Sequence, residues 1–124
     1  MTIMEKPTEL TAPKATDCEN FKYYANTIMK QIKYPNIWVF GSWGAHNFVW
    51  GASKDKENNP ALSFKVNGRK FKGYVHIFYD WMDYYRIEFV STHGNLKKVV
   101  NEVYFDMLQE IIDDYVEKIP EYAF

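Results

Sequence analysis

The side chains best suited to binding chemistry lie in residues 72–79, KGYVHIFY, where cationic or planar residues alternate with apolar ones. This segment partly matches the basic–Gly–aromatic–small–aromatic consensus of RNA-recognition strands. Single-strand binding requires lysines that meet phosphates and planar groups that stack on bases. Strand periodicity predicts that these side chains share one face with Lys65, so the candidate interaction surface is Lys65, Lys70, Lys72, Tyr74, His76 and Phe78.

The match to the RNA-recognition consensus is incomplete. Val75 stands where the consensus has a small residue, and His76 stands where it has an aromatic one. The chain opens with a helical pattern and carries a net charge of -1, whereas nucleic-acid-binding domains are commonly basic. The first hypothesis is therefore a non-enzymatic protein-interaction or accessory module, and single-stranded nucleic-acid binding is the alternative.

Acidic residues concentrate near the end of the chain, where residues 101–124 contain seven acids and the single lysine Lys118. Helical spacing places five of these acids on one face: Glu102, Asp106, Glu110, Asp113 and Glu117. Such a stripe is usually the solvent-exposed face of a helix. A second alternative is that the C-terminal helix imitates nucleic-acid phosphates and inhibits a nucleic-acid-binding partner.

Residue types that carry catalysis or hold metals are few and scattered in the sequence. Cys18 is the only cysteine, which excludes an internal disulfide and a multi-cysteine zinc site. His46, His76 and His93 lie on different predicted elements, and the segment Gly41–Gly44 is too short for a phosphate-binding loop. We therefore predict that the protein is not an enzyme and has no catalytic residue, cofactor or metal site.

The elements that position these residues begin with a helix. We place one domain at residues 16–124, behind a flexible N-terminal tail of residues 1–15. Thr16 and Glu19 match a capping box, with Thr16 as the N-cap. The apolar residues that follow recur at helical spacing: Phe21, Tyr24, Ala25, Ile28 and Ile32.

Strand patterns occupy the middle of the chain. Residues 37–40 and 46–50 are runs of strand formers, and residues 51–60 form a polar loop. The Asn67-Gly68 pair predicts a two-residue hairpin turn, which sets Phe64 opposite Phe71 and Lys65 opposite Lys70. The returning strand runs to residue 79, and residues 84–89 form the next strand, with alternate residues directed inward: Phe71, Val75, Ile77, Ile87 and Phe89.

The chain is predicted to close with a second helix. Residues 96–100 form an edge strand or the approach to this helix, Asn101 is its N-cap and Pro120 ends it. The predicted fold is α+β, with a four- to five-stranded antiparallel meander and the N-terminal and C-terminal helices packed on one face as two layers.

One face of such a sheet stays uncovered, and aromatic residues make up 19% of the chain. We expect this face to carry some of Trp38, Trp43, Trp50, Trp81, Tyr74 and Phe78. Large exposed apolar surfaces usually bind a partner, so we predict a homodimer or a complex with another protein. The sequence shows neither a secretory signal nor an apolar window long enough for a membrane span, which predicts a cytoplasmic protein that does not bind membranes.

Several framework segments, Ser42–Ala45, Leu62–Val75 and Val103–Asp113, carry a resemblance that spans residues 36–118. They resemble small uncharacterised domains often encoded by bacteria, their phages and mobile elements. That family has no established activity, so the resemblance supports the predicted fold and implies no catalytic or binding residue.

Overall fold

The computed structural model describes residues 6–55 and 57–119. The described chain forms six strands, three α-helices and one 3₁₀ turn: β1 (Leu10–Thr11), α1 (Cys18–Lys33), α2 (Ile37–Ser42), β2 (His46–Ser53), β3 (Pro60–Asn67), β4 (Lys72–Asp80), β5 (Tyr84–Ser91), β6 (Leu96–Val103), the 3₁₀ turn (Phe105–Met107) and α3 (Leu108–Val116). The strands pair in chain order from β1 to β6, and every pair is antiparallel.

This architecture confirms the predicted α+β class and the antiparallel meander, but the sheet has six strands rather than four or five. The sixth strand is β1, which lies in the segment expected to be a flexible tail, residues 1–15. Leu10 pairs with Ser53 and Thr11 with Ala52, so this segment forms an edge strand beside β2. The prediction of a flexible tail also covers residues 1–5, which lie outside the described residues.

The core lies between the helices and one face of the sheet. The α1 stripe is confirmed at Phe21, Ala25, Ile28 and Ile32, while Tyr24 stays partly exposed and stacks on Tyr79. The inward residues of β3, β4 and β5 meet α1 and α3, and the central side chains are fully buried: Phe64, Val75, Ile77, Ile87, Phe89, Leu108 and Ile112. Burial of this set supplies the main hydrophobic stabilisation of the fold.

The register of the β3–β4 hairpin differs from the prediction. Phe64 pairs with Val75 rather than Phe71, and Lys65 pairs with Tyr74 rather than Lys70. Residues 68–71 form the connection, because the amides of Lys70 and Phe71 donate to the carbonyl of Val116 at the end of α3. The register moves by four residues, an even number, so the predicted inward set keeps its face.

A tight contact at Gly68 makes this connection sensitive to one methyl group. A Cβ on Gly68 would lie 2.3 Å from the Val116 carbonyl oxygen and 2.4 Å from its Cγ1. We expect Gly68→Ala to lower the free energy of unfolding by about 1–3 kcal/mol, because the backbone of α3 must move. Urea denaturation followed by circular dichroism measures this.

The matched control for that experiment is Gly41→Ala in α2. A Cβ on Gly41 would meet nothing within 4 Å, so alanine is expected to be neutral or to stabilise α2 by up to about 1 kcal/mol. Equal losses of stability in the two variants would contradict the role given to the α3 contact.

Three helices begin at positions that differ from those predicted by local sequence signals. Residues 37–40 form α2 instead of a strand, because the Asn36 side chain accepts hydrogen bonds from the amides of Trp38 and Val39. The N-cap of α1 is Asp17 rather than Thr16, and it makes no side-chain cap bond. Asn101 lies within β6, so the last helix begins at Leu108, after the 3₁₀ turn.

Candidate interaction surfaces

Five of the six predicted interaction residues, all except Lys70, lie on the sheet face opposite the helices, called here the open face. Lys65 on β3 pairs directly with Tyr74 on β4, and His76 and Phe78 follow at alternate positions of β4. The cationic and planar side chains are therefore brought together, as the strand period predicts. Two residues do not fit a shared exposed face: Phe78 is buried, and Lys70 lies outside β4.

Phe78 is not available to a partner, because its side chain is only 1% exposed. The Arg86 guanidinium lies 4.6 Å from the centre of the Phe78 ring and donates a hydrogen bond to the Thr8 hydroxyl. Arg86 and the N-terminal segment thus account for the burial of this part of the open face, which the sequence predicts to be uncovered.

Lys70 and Lys72 lie apart from each other. Lys70 belongs to the connection before β4, and its Nζ donates to the carbonyl oxygen of Asp114 on α3. Lys70 therefore leaves the predicted surface. Lys72 is the first residue of β4, is exposed, and pairs with Asn67 beside Lys65.

Residues 6–11 form a strap across the open face, held by a buried carboxylate. Glu88 on β5 is 3% exposed and accepts hydrogen bonds from the Thr8 amide at 2.8 Å and the Thr8 hydroxyl at 2.6 Å. Arg86 Nε donates to the same carboxylate at 3.1 Å. Because Leu10 pairs with β2, the strap runs from β5 to β2 over β3 and β4.

The main groove lies on the open face beside the strap and has a volume of about 1340 Å³. Ser63, Tyr74 and His76 line it from β3 and β4, while Leu10 lines it from the strap and Leu96 from β6. Apolar and hydrogen-bonding groups therefore alternate over its surface, as in most sites for organic ligands.

His76 lines the main groove, and its surroundings affect its protonation. Its Nδ1 lies 2.7 Å from the Ser63 hydroxyl oxygen, and the residue pairs across the strands with Ser63 and Glu88. Burial lowers the pKa of His76, because the imidazolium loses hydration, while the negative charge of Glu88 acts in the opposite direction. His76 therefore favours its neutral form and offers a planar surface rather than a cation.

Ser63, His76 and Glu88 stand in one row across three strands, an arrangement that the sequence did not reveal. The described hydrogen bonds of the Glu88 carboxylate go to Thr8 and Arg86. A nucleophile relay needs an acid bonded to the histidine, so this row does not reproduce one.

A smaller groove of about 400 Å³ adjoins the main groove, and Tyr74 lines both. Its basic side chains are His46, Lys65 and Lys72, and neither Asp nor Glu is found among its described lining residues. Lys65 Nζ lies 5.1 Å from the centre of the Tyr74 ring. This end of the open face therefore joins two lysines to an aromatic ring.

Of the six aromatic residues from which the sequence predicts the aromatic part of the open face, Tyr74 and Phe78 lie there, but the four tryptophans do not. Trp43 is fully buried, and its Nε1 donates to Asp113 at 2.9 Å. Trp81 packs against aromatic rings of α1, and Trp50 pairs with the buried Leu62 on the helix-covered side. Trp38 projects from α2 and is 86% exposed, because residues 37–40 are helical.

Trp38 belongs to a second surface, at the point where α1, α2 and α3 meet. Gln109 Nε2 donates to the carbonyl oxygens of Ile32 and Asn36, each at 2.9 Å, and so ties α3 to the α1–α2 link. Five exposed apolar side chains lie within four positions along the sequence of Ile32, Asn36 or Gln109. They are named here the junction surface: Tyr34, Ile37, Trp38, Phe105 and Met107.

The predicted acidic stripe is not one face of a helix. Glu102 lies in β6 and Asp106 in the 3₁₀ turn, before α3 begins. Asp113 accepts from Trp43, and Glu117 pairs with Arg69 at 2.8 Å. The longer β6 removes the helical spacing that the stripe required.

No family model, curated protein or solved structure matches this chain. The resemblance to phage and mobile-element domains therefore stays a prediction. Among residues 6–55 and 57–119, no cluster of three His, Cys, Asp or Glu side chains is arranged to hold a metal ion. No helix within those ranges has the length and apolar character that a membrane span needs.

Proposed function

We propose that this protein is a non-enzymatic interaction module and that the junction surface contacts a protein partner. The observation that carries the proposal is the 86% exposure of Trp38 on a short, capped helix. Trp, Tyr, Phe and Met are enriched at the centres of protein interfaces, and tryptophan dominates binding hot spots. The junction surface contains all four residue types.

The junction surface is also held in place before any partner arrives. Asn36 caps α2 through two backbone amides, and Gln109 joins that cap to α3 through two carbonyls. A side chain on an ordered element loses less conformational entropy on binding than one on a disordered segment. Exposure and rigidity together support a docking role for Trp38.

Photo-crosslinking at position 38 tests the proposal. We expect a photoreactive amino acid in place of Trp38 to form one discrete covalent adduct in cells. The same amino acid at Tyr23, which is 65% exposed on α1 but outside the junction surface, should form none. Trp38→Ser should change the free energy of unfolding by no more than about 0.5 kcal/mol, because the side chain is exposed.

The adduct distinguishes a homodimer from a complex with another protein. Sedimentation velocity of the purified chain at micromolar concentrations will show a dimer, reduced by Trp38→Ser, if the partner is a second copy. A strict monomer combined with a discrete adduct indicates another protein. Adducts of equal yield at positions 38 and 23, or at neither, would contradict the proposal.

The two nucleic-acid hypotheses have weaker support. Lys65, Lys72, Tyr74 and His76 still share one end of the open face, but Phe78 is buried and Lys70 bonds to α3. Mimicry of nucleic-acid phosphates would need the acids on one face of the C-terminal helix, but Glu102 lies in β6 and Asp106 in the 3₁₀ turn. The open face is better suited to a smaller ligand.

A further inference from the structure

We infer that the open face binds a small organic anion, with its planar or apolar body in the main groove and its negative group in the smaller groove. The two grooves share Tyr74, so one molecule can occupy both. This site is separate from the junction surface, and the inference does not depend on the proposed protein partner.

The main groove suits the uncharged part of the ligand. Tyr74 and His76 present rings whose planes differ by 22° and whose centroids are 6.3 Å apart along β4. Leu10 and Leu96 add apolar surface from the strap and from β6. Aromatic and aliphatic walls of this kind gain free energy when a planar body displaces water from them.

Apart from Lys6, the charged side chains that line the strap side of the main groove are matched within the protein. Lys54 lies 3.8 Å from Glu9, and Arg86 lies 4.0 Å from Asp55 as well as bonding Glu88. A ligand charge placed there would have to compete with these pairs. The main groove therefore favours a neutral body.

The smaller groove, in contrast, has an excess of positive charge. Within the described residues, Lys65 and Lys72 make no ion pair with an acid, and both line this groove with His46. Two lysines that converge beside one wall form a favourable site for a carboxylate, sulfonate or phosphate. This asymmetry orients the ligand, with its negative end toward the β3–β4 hairpin.

The number of planar surfaces favours a single small molecule over a polymer. Single-stranded nucleic acid binds along a series of aromatic platforms and a basic track. On this face the row stops at His76, because Phe78 is buried beneath Arg86, and the strap crosses the sheet beyond it. The remaining site accommodates one or two rings and one negative group.

Fluorescence titration with two dyes tests the inference on the full chain. Anilinonaphthalene sulfonate combines an aromatic body with a negative group, and phenylnaphthylamine has nearly the same body without the charge. We expect the double variant Lys65→Gln/Lys72→Gln to bind the sulfonate about tenfold more weakly, since two favourable charge interactions are lost. Its affinity for phenylnaphthylamine should stay the same.

Control variants separate the site from general dye binding. Lys22→Gln/Lys30→Gln removes two exposed α1 lysines and the same total charge, and it should leave both affinities unchanged. Tyr74→Ala should weaken both dyes, because Tyr74 lines both grooves. Circular dichroism establishes that each variant is folded.

Four results would overturn the inference. They are the absence of sulfonate binding, equal losses in the two lysine variants, loss of the neutral dye in Lys65→Gln/Lys72→Gln, and unchanged binding in Tyr74→Ala. A thymidine oligonucleotide that displaces the sulfonate, and binds more tightly as it is lengthened, would also overturn it in favour of nucleic-acid binding.

Discussion

Replacing Trp43 with alanine is expected to lower the free energy of unfolding by about 3–5 kcal/mol, the usual cost of removing a buried tryptophan. Trp43 is fully buried in the core cluster between the sheet and the helices, and its ring packs against Phe40. Its Nε1 also donates to Asp113 on α3, so the truncation removes both packing and a link between elements.

Two further substitutions separate the contributions to this loss. Trp43→Phe keeps an aromatic ring but removes the hydrogen bond to Asp113, so a loss of about 1–2 kcal/mol is expected. Trp38→Ala removes the same side chain from an exposed position and should cost no more than about 0.5 kcal/mol. Urea denaturation followed by far-ultraviolet circular dichroism measures all three. Similar losses at positions 43 and 38 would contradict the burial described here.

Replacing Glu88 with alanine is expected to lower the free energy of unfolding by about 3 kcal/mol and to release the strap from the open face. Glu88 is the common acceptor for the Thr8 amide, the Thr8 hydroxyl and Arg86 Nε. Breaking a buried ion pair by removing one partner leaves the other charge and its donors unpaired, which costs several kcal/mol.

Hydrogen exchange provides the local measurement for this prediction. In Glu88→Ala the Thr8 amide loses its acceptor and should exchange much faster than in the unchanged chain. Thr8→Ala removes the hydroxyl, which donates to Glu88 and accepts from Arg86, but it keeps the backbone amide that donates to Glu88, so a smaller loss of about 1 kcal/mol is expected.

The matched control removes an exposed acid from the strap. Glu9 forms its ion pair with Lys54 at 3.8 Å while its side chain is 76% exposed, so Glu9→Ala should cost less than about 0.5 kcal/mol. A Glu88→Ala variant as stable as Glu9→Ala, with Thr8 exchange unchanged, would show that the Glu88 carboxylate does not hold the strap.

The strap links this stability network to the main groove. Thr8 and Leu10 line the groove, and Thr8 is held by Glu88. Release of the strap should therefore alter dye binding in the main groove as well as stability. The Glu88 variants thus probe the open face without changing Lys65, Lys72 or Tyr74.

Periodic signals in the sequence were reliable where one face of an element is buried. The α1 stripe at Phe21, Ala25, Ile28 and Ile32 is confirmed. The inward residues of β4 and β5 are confirmed even though the β3–β4 register is not. A change of strand register by an even number of residues leaves each side chain on the same face of the sheet. The buried face could therefore be predicted correctly although the turn was not.

Signals from a few neighbouring residues failed where distant contacts compete with them. The Asn67-Gly68 pair favours a two-residue turn. However, the amides of residues 70 and 71 donate hydrogen bonds to the Val116 carbonyl at the end of α3, so these residues belong to the connection and not to β4. Residues 37–40 favour a strand by composition, yet the Asn36 cap and the bonds from Gln109 stabilise a helix. Trp38 is consequently exposed on α2 rather than placed in the sheet.

The sequence by itself determined the α+β class, the antiparallel meander, the faces of α1, β4 and β5, and the grouping of Lys65, Tyr74 and His76. These properties follow from residue periodicity, which each segment carries within itself. Only the tertiary structure decided that Phe78 is buried, that Lys70 bonds to α3, and that the strap crosses the open face. Those outcomes depend on contacts between residues far apart in the chain, such as Thr8 with Glu88, because a buried carboxylate must find donors wherever the fold brings them.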